Sequence, residues 1–588
     1  MYAGGVTNAE IAAAFAHIAT LLTLRGENPF KIRAYERAAQ LITAHPRELR
    51  DLYAEAGEAG LRALPGIGED LARKIIEMLT TGALVYHQEL LAEFPPGLLE
   101  ILTVEGMGPK KTKLVWEQFG VENIDALEAL ARGDKLRTLK GWGEKSVQNI
   151  LRGIEGKRAL DKQGGGRTPL PKAWGIAEEI VERLRRSKLC KAIEIAGSLR
   201  RRRETVGDID ILVTSRKPDE VIALFCAMPG VDRVLAQGDT RASVVVSAGI
   251  QCDLRVVEPD VFGAALHYFT GSKEHNVQLR TLALERGVTI SEYGVHEGTA
   301  ARKGKLVACH TEEDVFASVG LPWIPPEIRE GRGEVDAAKR GALPLLLTPS
   351  DIKGDLHLHT DFSDGEASAV KMAKAAKAAG LEYIAITDHA SPLGMVKGIK
   401  EDNLDQYLAM IAAARKAVPG IEIFAGAEVD ILPDGRLYLS DAALAKLDWV
   451  VISVHQSLRQ PREEMTERIC RALAHPAACL LAHPTARLLG DRLGIEVDLE
   501  RVFATAKRHG VALEHNASPE RLDLCDMHLA RAKELGVPVC VNSDAHAVDG
   551  FDYRFGISQC RRGWVEPGDV LNTRSADGLR MWLDRRRG

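Results

Sequence analysis

The sequence predicts a multidomain protein: a helical N-terminal region, a small central α/β domain, and a C-terminal β/α barrel of the seven-stranded type. Three observations predict it. Helical periodicity broken by three matching Gly-turns runs to residue 155. Strands carrying paired aspartates alternate with helices from residue 173. From residue 351, short apolar strands each end in a histidine or an acid. A chain of 588 residues is long enough for several domains. No run of apolar residues is long enough to span a membrane. The N-terminus, MYAGGVTNAEIAAAF, lacks a basic segment leading into an apolar core, so no secretory signal is expected. Nine cysteines without a C-x-x-C pair suit reduced thiols in a cytoplasm and argue against a disulfide framework or a thiolate zinc site.

The net charge of −5 hides an imbalance: residues 101–200 hold 20 Lys and Arg against 13 Asp and Glu, and residues 351–588 hold 30 against 35. The run LRRRRE at 199–204 extends the basic stretch. A basic middle points to a polyanionic partner. Ten of the 17 histidines follow residue 350, which points to a metal centre there.

The segments IAAAFAHIATLL, FKIRAYERAAQLI and DALEALARG have helical spacing. Between such helices, LPGIG (64–68), VEGMG (104–108) and LKGWG (139–143) repeat a Gly-apolar-Gly turn. Each is preceded by an apolar residue and followed, seven residues after its second Gly, by Ile75, Val115 or Ile150. Paired glycines let the backbone turn tightly, and the next helix N-terminus offers free N–H groups to a phosphate. Gly66, Gly68, Gly106, Gly108, Gly141 and Gly143, with Lys110, Lys111, Lys113 and Lys145, are therefore candidate contacts of helix-hairpin-helix elements to a nucleic-acid backbone.

In GSLRRRRETVGDIDILV (197–213), Asp208 and Asp210 are two apart on a strand and leave the same face. The strand CDLRVV adds Asp253. Three neighbouring carboxylates call for divalent cations, and two Mg²⁺ or Mn²⁺ would serve a 3′-hydroxyl and a triphosphate. Ser198, Gly207 and Arg201 are candidate phosphate contacts.

The last region opens with DLHLHTDFSDG, which supplies His357, His359 and Asp364. Later strand ends supply His389, Glu428, His455, His483, Asp544 and His546. In a β/α barrel these ends converge on one mouth. Nine ligands exceed what one ion needs, and imidazole with carboxylate but without cysteine suits Mn²⁺, Zn²⁺ or Fe²⁺. His475, His509 and His528 are expected on the surface, and His515 as a neighbour of the ligands or without a role.

These motifs carry a resemblance. G-S-L-R-R…G-D-I-D with CDLRVV resembles the nucleotidyltransferase palm of family X DNA polymerases, and YFTGSKEHNVQLR (268–280) resembles the family's nucleotide-selecting helix. The resemblance implies that Tyr268 and Phe269 crowd the sugar 2′ position. It also implies that Gly271 and Asn276 face the nucleotide, that Arg280 faces the template, and that Asp253 accepts the 3′-hydroxyl proton. NPFKIRAYERAA resembles the family's lyase domain, which places Lys31 and Tyr35 on DNA and makes Lys74 the Schiff-base lysine. Asp70 stands where animal members often carry a second lysine. The C-terminal set resembles the polymerase-and-histidinol-phosphatase (PHP) domain. That resemblance implies up to three such ions: one held by His357, His359, Glu428 and Asp544, one bridged by Glu428 to His455 and His483, and one held by Asp364, His389 and His546.

The whole chain is thus similar to bacterial family X DNA polymerases. The boundaries expected are a lyase-like domain (1–85), helix-hairpin-helix fingers (86–155), a linker (156–172), the palm (173–260), a nucleotide-selecting subdomain (261–320), a second linker (321–350) and the PHP domain (351–575). The resemblance implies a monomeric, nucleoid-associated gap-filling polymerase. Its partners would be gapped or nicked DNA with a 5′-phosphate and deoxynucleoside triphosphates, with no membrane. The barrel would act as a 3′→5′ exonuclease, abasic-site endonuclease or 3′-phosphatase. A nucleotidyltransferase for another acceptor fused to a small-molecule phosphatase is the alternative, against which the three Gly-turns and YFTGS stand.

Overall fold

Two helices of the N-terminal region start where the sequence supplies a side-chain cap. Asn28 accepts the Phe30 N–H ahead of Pro29–Ala44, and Asn123 accepts the Ala126 N–H ahead of Ile124–Arg132. The computed structural model describes all residues except 1–5, 7, 46, 48, 96, 103, 105–106, 134, 137–141, 144–145, 149, 152, 155–166, 247–248, 300–301, 308, 393–396 and 588. Two units result: residues 1–166 with 247–249, and the remainder.

The first unit holds helices Asn8–Arg25, Pro29–Ala44, Leu49–Arg62, Glu69–Thr81, Val85–Ala92, Leu98–Leu102, Pro109–Phe119 and Ile124–Arg132. Ile75, Val115 and Ile150, the residues at matched distance from each Gly-turn, are all fully buried in one core. Gly68 and Gly108 cap the helices that begin at Glu69 and Pro109. Gly66 has φ +86°, which favours glycine, whereas a Cβ on Gly68, Gly108 or Gly143 would meet open space. Internal packing therefore does not demand glycine at those three positions.

In the second unit a five-stranded sheet comes first, formed by β1 (Ala192–Ile195), β2 (Asp208–Thr214), β3 (Val231–Gln237), β4 (Arg241–Val246) and β5 (Gln251–Val257). Its order is β1-β2-β5-β4-β3. Only β2 and β5 are parallel, and their register sets Asp210 opposite Asp253. Helices Phe262–Thr270 and Lys273–Glu285 follow, then a three-stranded antiparallel sheet of β6 (Val288–Ser291), β7 (Gly294–Thr299) and β8 (Arg302–Val307).

The expected linker 321–350 is folded. Its residues Ile324, Ile328, Val335 and Ala338 are buried in the same core as Leu279, Ile290 and Phe316. Arg329, fully buried, donates to Glu312 at 2.5 and 3.0 Å, and Arg200 donates to the same carboxylate at 2.8 Å. The Pro and charged residues that suggested a linker are thus the stops and ion pairs of a packed segment. Of the other expected linker, residues 156–166 lie outside the described residues, and Thr168–Pro169 pairs with Thr205–Val206.

The last region is a parallel barrel of β9 (Gly354–Leu358), β10 (Tyr383–Ile386), β11 (His389–Ala390), β12 (Glu422–Asp430), β13 (Trp449–Ser453), β14 (Leu480–Leu481), β15 (Ala512–Asn516) and β16 (Val539–Asn542). Seven strands run in the order β9-β10-β12-β13-β14-β15-β16, and β11 pairs β12. A bridge between Leu358 and Ala545 brings the first and last strands together and nearly closes the barrel. At the N-terminal ends of the strands, Tyr383, Phe424, Trp449 and Cys540 pack with Leu579 and Leu583 of the final helix, Ala576–Arg587. That end is filled with apolar side chains, which leaves the C-terminal ends for polar groups.

Burial favours the neutral form of Glu312, but the guanidiniums of Arg329 and Arg200 outweigh it and hold its pKa well below the usual carboxylate range. The stabilisation is complete above the unfolded pKa and is lost as pH falls through the folded one. Glu312→Gln leaves two guanidiniums without their carboxylate and is expected to lower stability at neutral pH by about 3–5 kcal/mol, read by urea denaturation. A loss within about 0.5 kcal/mol would show that the pair is not what anchors this segment.

Candidate active sites

The register of β2 and β5 builds the first site. Asp208, Asp210 and Asp253 share one face of the sheet, near the starts of two neighbouring interior strands. Burial, and then the neighbouring carboxylates, raise the pKa of Asp208 above its usual range and that of Asp210 to about 7. Ser243 Oγ and Gln251 Nε2 each donate to one oxygen of Asp253. Gly197 has φ +63°, and a Cβ there would lie 2.1 Å from Asp210 Oδ2, so the Gly-Ser turn can pass the aspartate only as glycine. A cleft of about 520 Å³ opens beside Asp208, lined also by Arg167, Ser198, Arg201, Arg203, Gly207 and Gln251.

The nucleotide-selecting residues gather beside this turn. Tyr268 and Phe269 end helix Phe262–Thr270, with rings edge to face at 5.2 Å. Gly271 follows with φ +66°, and Arg201 Nη1 would be 3.2 Å from a Cβ there. Asn276 donates to the Tyr268 carbonyl at 2.8 Å, and its Oδ1 is buried without a hydrogen-bond partner. Arg280 is exposed on the next helix. Arg255, not singled out in the sequence, lies 4.5 Å over the Phe269 ring, two residues beyond Asp253 on the same strand.

The arginine run is not the free basic patch its composition suggests. Arg200 pairs with Glu312, Arg201 and Arg203 with Glu330, and the Arg202 guanidinium lies 3.4 Å over the Trp174 ring. Two acids distant in sequence, Glu312 and Glu330, take up part of the charge.

In the first unit, Lys31 is exposed, and Tyr35 is 2 % exposed in the core against Phe15 and Tyr86. An expected DNA contact at Tyr35 is therefore corrected: its ring is a packing element. Lys74 Nζ lies 2.5 Å from Asp70 and 5.0 Å over Tyr86, so the departure at Asp70 places a carboxylate directly on the lysine. Gly106 and Gly141 lie outside the described residues, as do Lys145 and the side chain of Lys110.

The barrel mouth holds the second site. Glu428, 1 % exposed, takes His389 Nδ1 at 2.8 Å, His483 Nε2 at 3.0 Å, His455 Nε2 at 3.2 Å and His357 Nε2 at 3.5 Å. Asp544 lies 3.1 Å from His359, and Asp364 lies 3.3 Å from His389 and 3.6 Å from His546. Three groups can each hold a cation: His359-Asp364-His389-His546, His357-His359-Asp544 and His389-Glu428-His455. The donors fit such ions. His359 Nδ1 and His483 Nδ1 are buried without hydrogen-bond partners, and among the described residues no cysteine joins these groups. His483 and Asp544 hold positive φ of 27° and 54°, a strained backbone that persists where surrounding structure fixes it.

Burial opposes charge on His389, but Glu428 and Asp364 push its pKa up to about 11. Burial and the neighbouring imidazoles His389 and His546 take His359 down to about 4, although Asp544 pulls the other way. The carboxylates thus demand positive charge, and imidazoles share it unequally.

A further layer went unread in the sequence. Glu514, fully buried, accepts His357 Nδ1 at 2.8 Å, the His483 N–H at 2.8 Å and Asn542 Nδ2 at 2.9 Å. Asp430 accepts His455 Nδ1 at 2.8 Å. Both fix the ring orientation of a candidate ligand. The alternation His357-x-His359 has its counterpart in Glu514-x-Asn516, the signal that could have found them. His515, between them, donates from Nδ1 to the Leu524 carbonyl and touches none of the nine ligands through a hydrogen bond. His528 is half-buried beside Cys525 rather than on the surface.

Known proteins match this architecture. Residues 6–84 match the helix-hairpin-helix domain family, 98–155 the SAM-like helix-hairpin-helix tandem, 265–330 the DNA polymerase beta thumb, and 355–518 the PHP domain. The "DNA polymerase/3'-5' exonuclease PolX" of Bacillus subtilis (strain 168) is 37% identical over 97% of this chain and 98% of its own length. The chain belongs to the bacterial family X DNA polymerases with a C-terminal PHP domain. The chain is also similar to "Probable phosphatase TTE1963" of Caldanaerobacter subterraneus subsp. tengcongensis, 30% identical over 40% of this chain and 91% of that protein. The family X thumb runs into the folded segment after residue 320, which agrees with its place in the core. Among the described residues no helix is long and apolar enough to cross a membrane.

Glu428→Ala is expected to lower the metal retained after gel filtration by about half or more, read by plasma mass spectrometry, while Asp210→Ala leaves it unchanged. Equal retention in both variants would place the tightly held metal elsewhere.

Proposed function

We propose that this protein is a DNA-directed DNA polymerase that fills short gaps in repair, and that its barrel shortens 3′ ends as an exonuclease. One observation carries the reading. Three aspartates on one sheet face beside a cleft and a nine-donor barrel mouth occur in one chain, similar over nearly its whole length to a named DNA polymerase/3'-5' exonuclease.

In the palm, Asp208, Asp210 and Asp253 would hold two Mg²⁺ or Mn²⁺, which supply charge for the triphosphate and acidity for the primer hydroxyl. Asp253, with both oxygens steadied by Ser243 and Gln251, accepts the 3′-hydroxyl proton. Ser198 and Arg201 bind phosphate oxygens in the cleft, beside Gly207. Tyr268 and Phe269 bound the sugar, and Asn276 Oδ1, free of internal partners, faces the nucleotide beyond Gly271. Arg280 reaches the template strand.

The helix-hairpin-helix turns grip gapped or nicked DNA with a 5′-phosphate. The open space at Gly68, Gly108 and Gly143 supports this, because a close-approaching backbone outside the protein would need glycine there. Lys74 serves as a 5′-phosphate contact. Its pairing with Asp70 speaks against a free Schiff-base amine.

In the barrel, the nine ligands would hold up to three Mn²⁺, Zn²⁺ or Fe²⁺, which supply a nucleophile and stabilise the leaving oxygen of a phosphodiester. Glu514 and Asp430 hold His357 and His455 in orientation. A small-molecule phosphatase is the second reading for the barrel, favoured by the chain's likeness to TTE1963.

A labelled primer on a gapped duplex tests both, with Mn²⁺ and with or without deoxynucleotides. Asp208→Ala is expected to stop lengthening and leave shortening, and His357→Ala to do the reverse. Gly197→Ala, by displacing Asp210, is expected to slow lengthening about 100-fold, the order of effect of a displacement near 1 Å. Wild type that releases phosphate from a small monoester and leaves the primer intact would favour the second reading.

A further inference from the structure

The turn that carries Arg201 is held in an uncommon shape. Arg202 has φ +58°, in the left-handed region that a non-glycine residue keeps only where its surroundings over-determine it. Much of that restraint comes from the barrel domain. Arg562, at the end of helix Arg554–Arg562, donates from Nη1 to the Arg201 carbonyl at 2.6 Å and to Glu330 at 2.8 Å. Gln559, one turn earlier, donates to the Arg202 carbonyl at 2.7 Å. Arg562 is 3 % exposed, and its Nη2 is held by Asp526 at 2.9 Å.

The same network fixes the Arg201 side chain. Its Nε donates to Glu330 at 3.0 Å and its Nη1 to the Thr270 carbonyl at 2.5 Å. Its Nη2 makes no hydrogen bond among the described residues, and the side chain lines the cleft beside Asp208. Glu330 serves Arg201, Arg203 and Arg562 together, so removing one guanidinium redistributes the other two. Neither the helix nor Arg562 touches the barrel mouth through any of these bonds.

We infer that Arg562 of the barrel domain is a positioning residue for nucleotide binding in the palm, acting through the Arg201 carbonyl and Glu330. The inference rests on the polymerase reading above. Arg562→Ala leaves the Arg201 carbonyl and two carboxylates short of a donor and lets the turn relax. Lysine restores the charge but cannot reach the Arg201 carbonyl, Glu330 and Asp526 together.

The test measures primer extension against deoxynucleotide concentration for wild type, Arg562→Ala, Arg562→Lys and Gln559→Ala. Shortening of the same primer without deoxynucleotides and amide hydrogen exchange of residues 200–204 are followed in each. Arg562→Ala is expected to raise the deoxynucleotide KM about tenfold with kcat changed less than about threefold, and Arg562→Lys and Gln559→Ala to fall between it and wild type. Primer shortening should stay within about twofold, and exchange in 200–204 should quicken. An unchanged KM with unchanged exchange overturns the inference. So does a parallel loss of lengthening and shortening with a lowered Tm, which marks a general folding role. Should Arg562→Ala not fold, Arg562→Lys and Gln559→Ala decide by the same readouts. A wild type that incorporates nothing sinks the polymerase reading, and exchange in 200–204 still decides whether Arg562 positions the turn.

Discussion

Everything at the barrel mouth depends on one buried carboxylate. Glu428 is surrounded by His357, His389, His455 and His483, and burial alone would favour its neutral form. Taking a carboxylate out of water is costly unless opposite charge and hydrogen bonds meet it. The fold delivers that charge from four separate strand ends, which only a nearly closed parallel barrel brings within reach of one point. The filled apolar end, with Tyr383 and Trp449, and the polar end are two halves of one solution. Side chains at the start of each strand close the barrel, and those at its end gather round Glu428.

The palm applies the same constraint with the opposite economy. Its acids repel one another across β2 and β5, and the nearest opposite charges, on Arg255, Arg201 and Arg167, soften the repulsion without cancelling it. Asp210 is the extreme case, because it lies deepest and faces both neighbours. The glycine at 197 exists to let a turn pass that carboxylate. Sequence, backbone conformation and charge meet at a single atom there.

Much of this was legible in the sequence, for a physical reason. Strand residues two apart share a face, so Asp208 with Asp210 and His357 with His359 announce themselves locally, and Ile75, Val115 and Ile150 repeat at fixed distance from their turns. The rest depends on partners far along the chain. Nothing near Arg200 or Arg201 reveals Glu312 and Glu330, so the arginine run read as a surface for a polyanion. Glu514 has the right alternation but no second histidine to draw attention to it. Tyr35 is expected on DNA by its motif's resemblance to the lyase domain, yet its ring packs against Phe15. Segment 321–350 has the prolines of a linker, and its buried Ile324 and Ile328 are too few to reveal a packed stretch by periodicity.

That last segment limits how the two centres can cooperate. With residues 324–338 packed into the core that follows the palm, and Arg562 and Arg487 tied to Arg201 and Glu204, the described residues contain no swinging arm between palm and barrel. On the proposed polymerase and exonuclease reading, a primer end served by both centres would have to cross between two sites that these contacts hold in one frame.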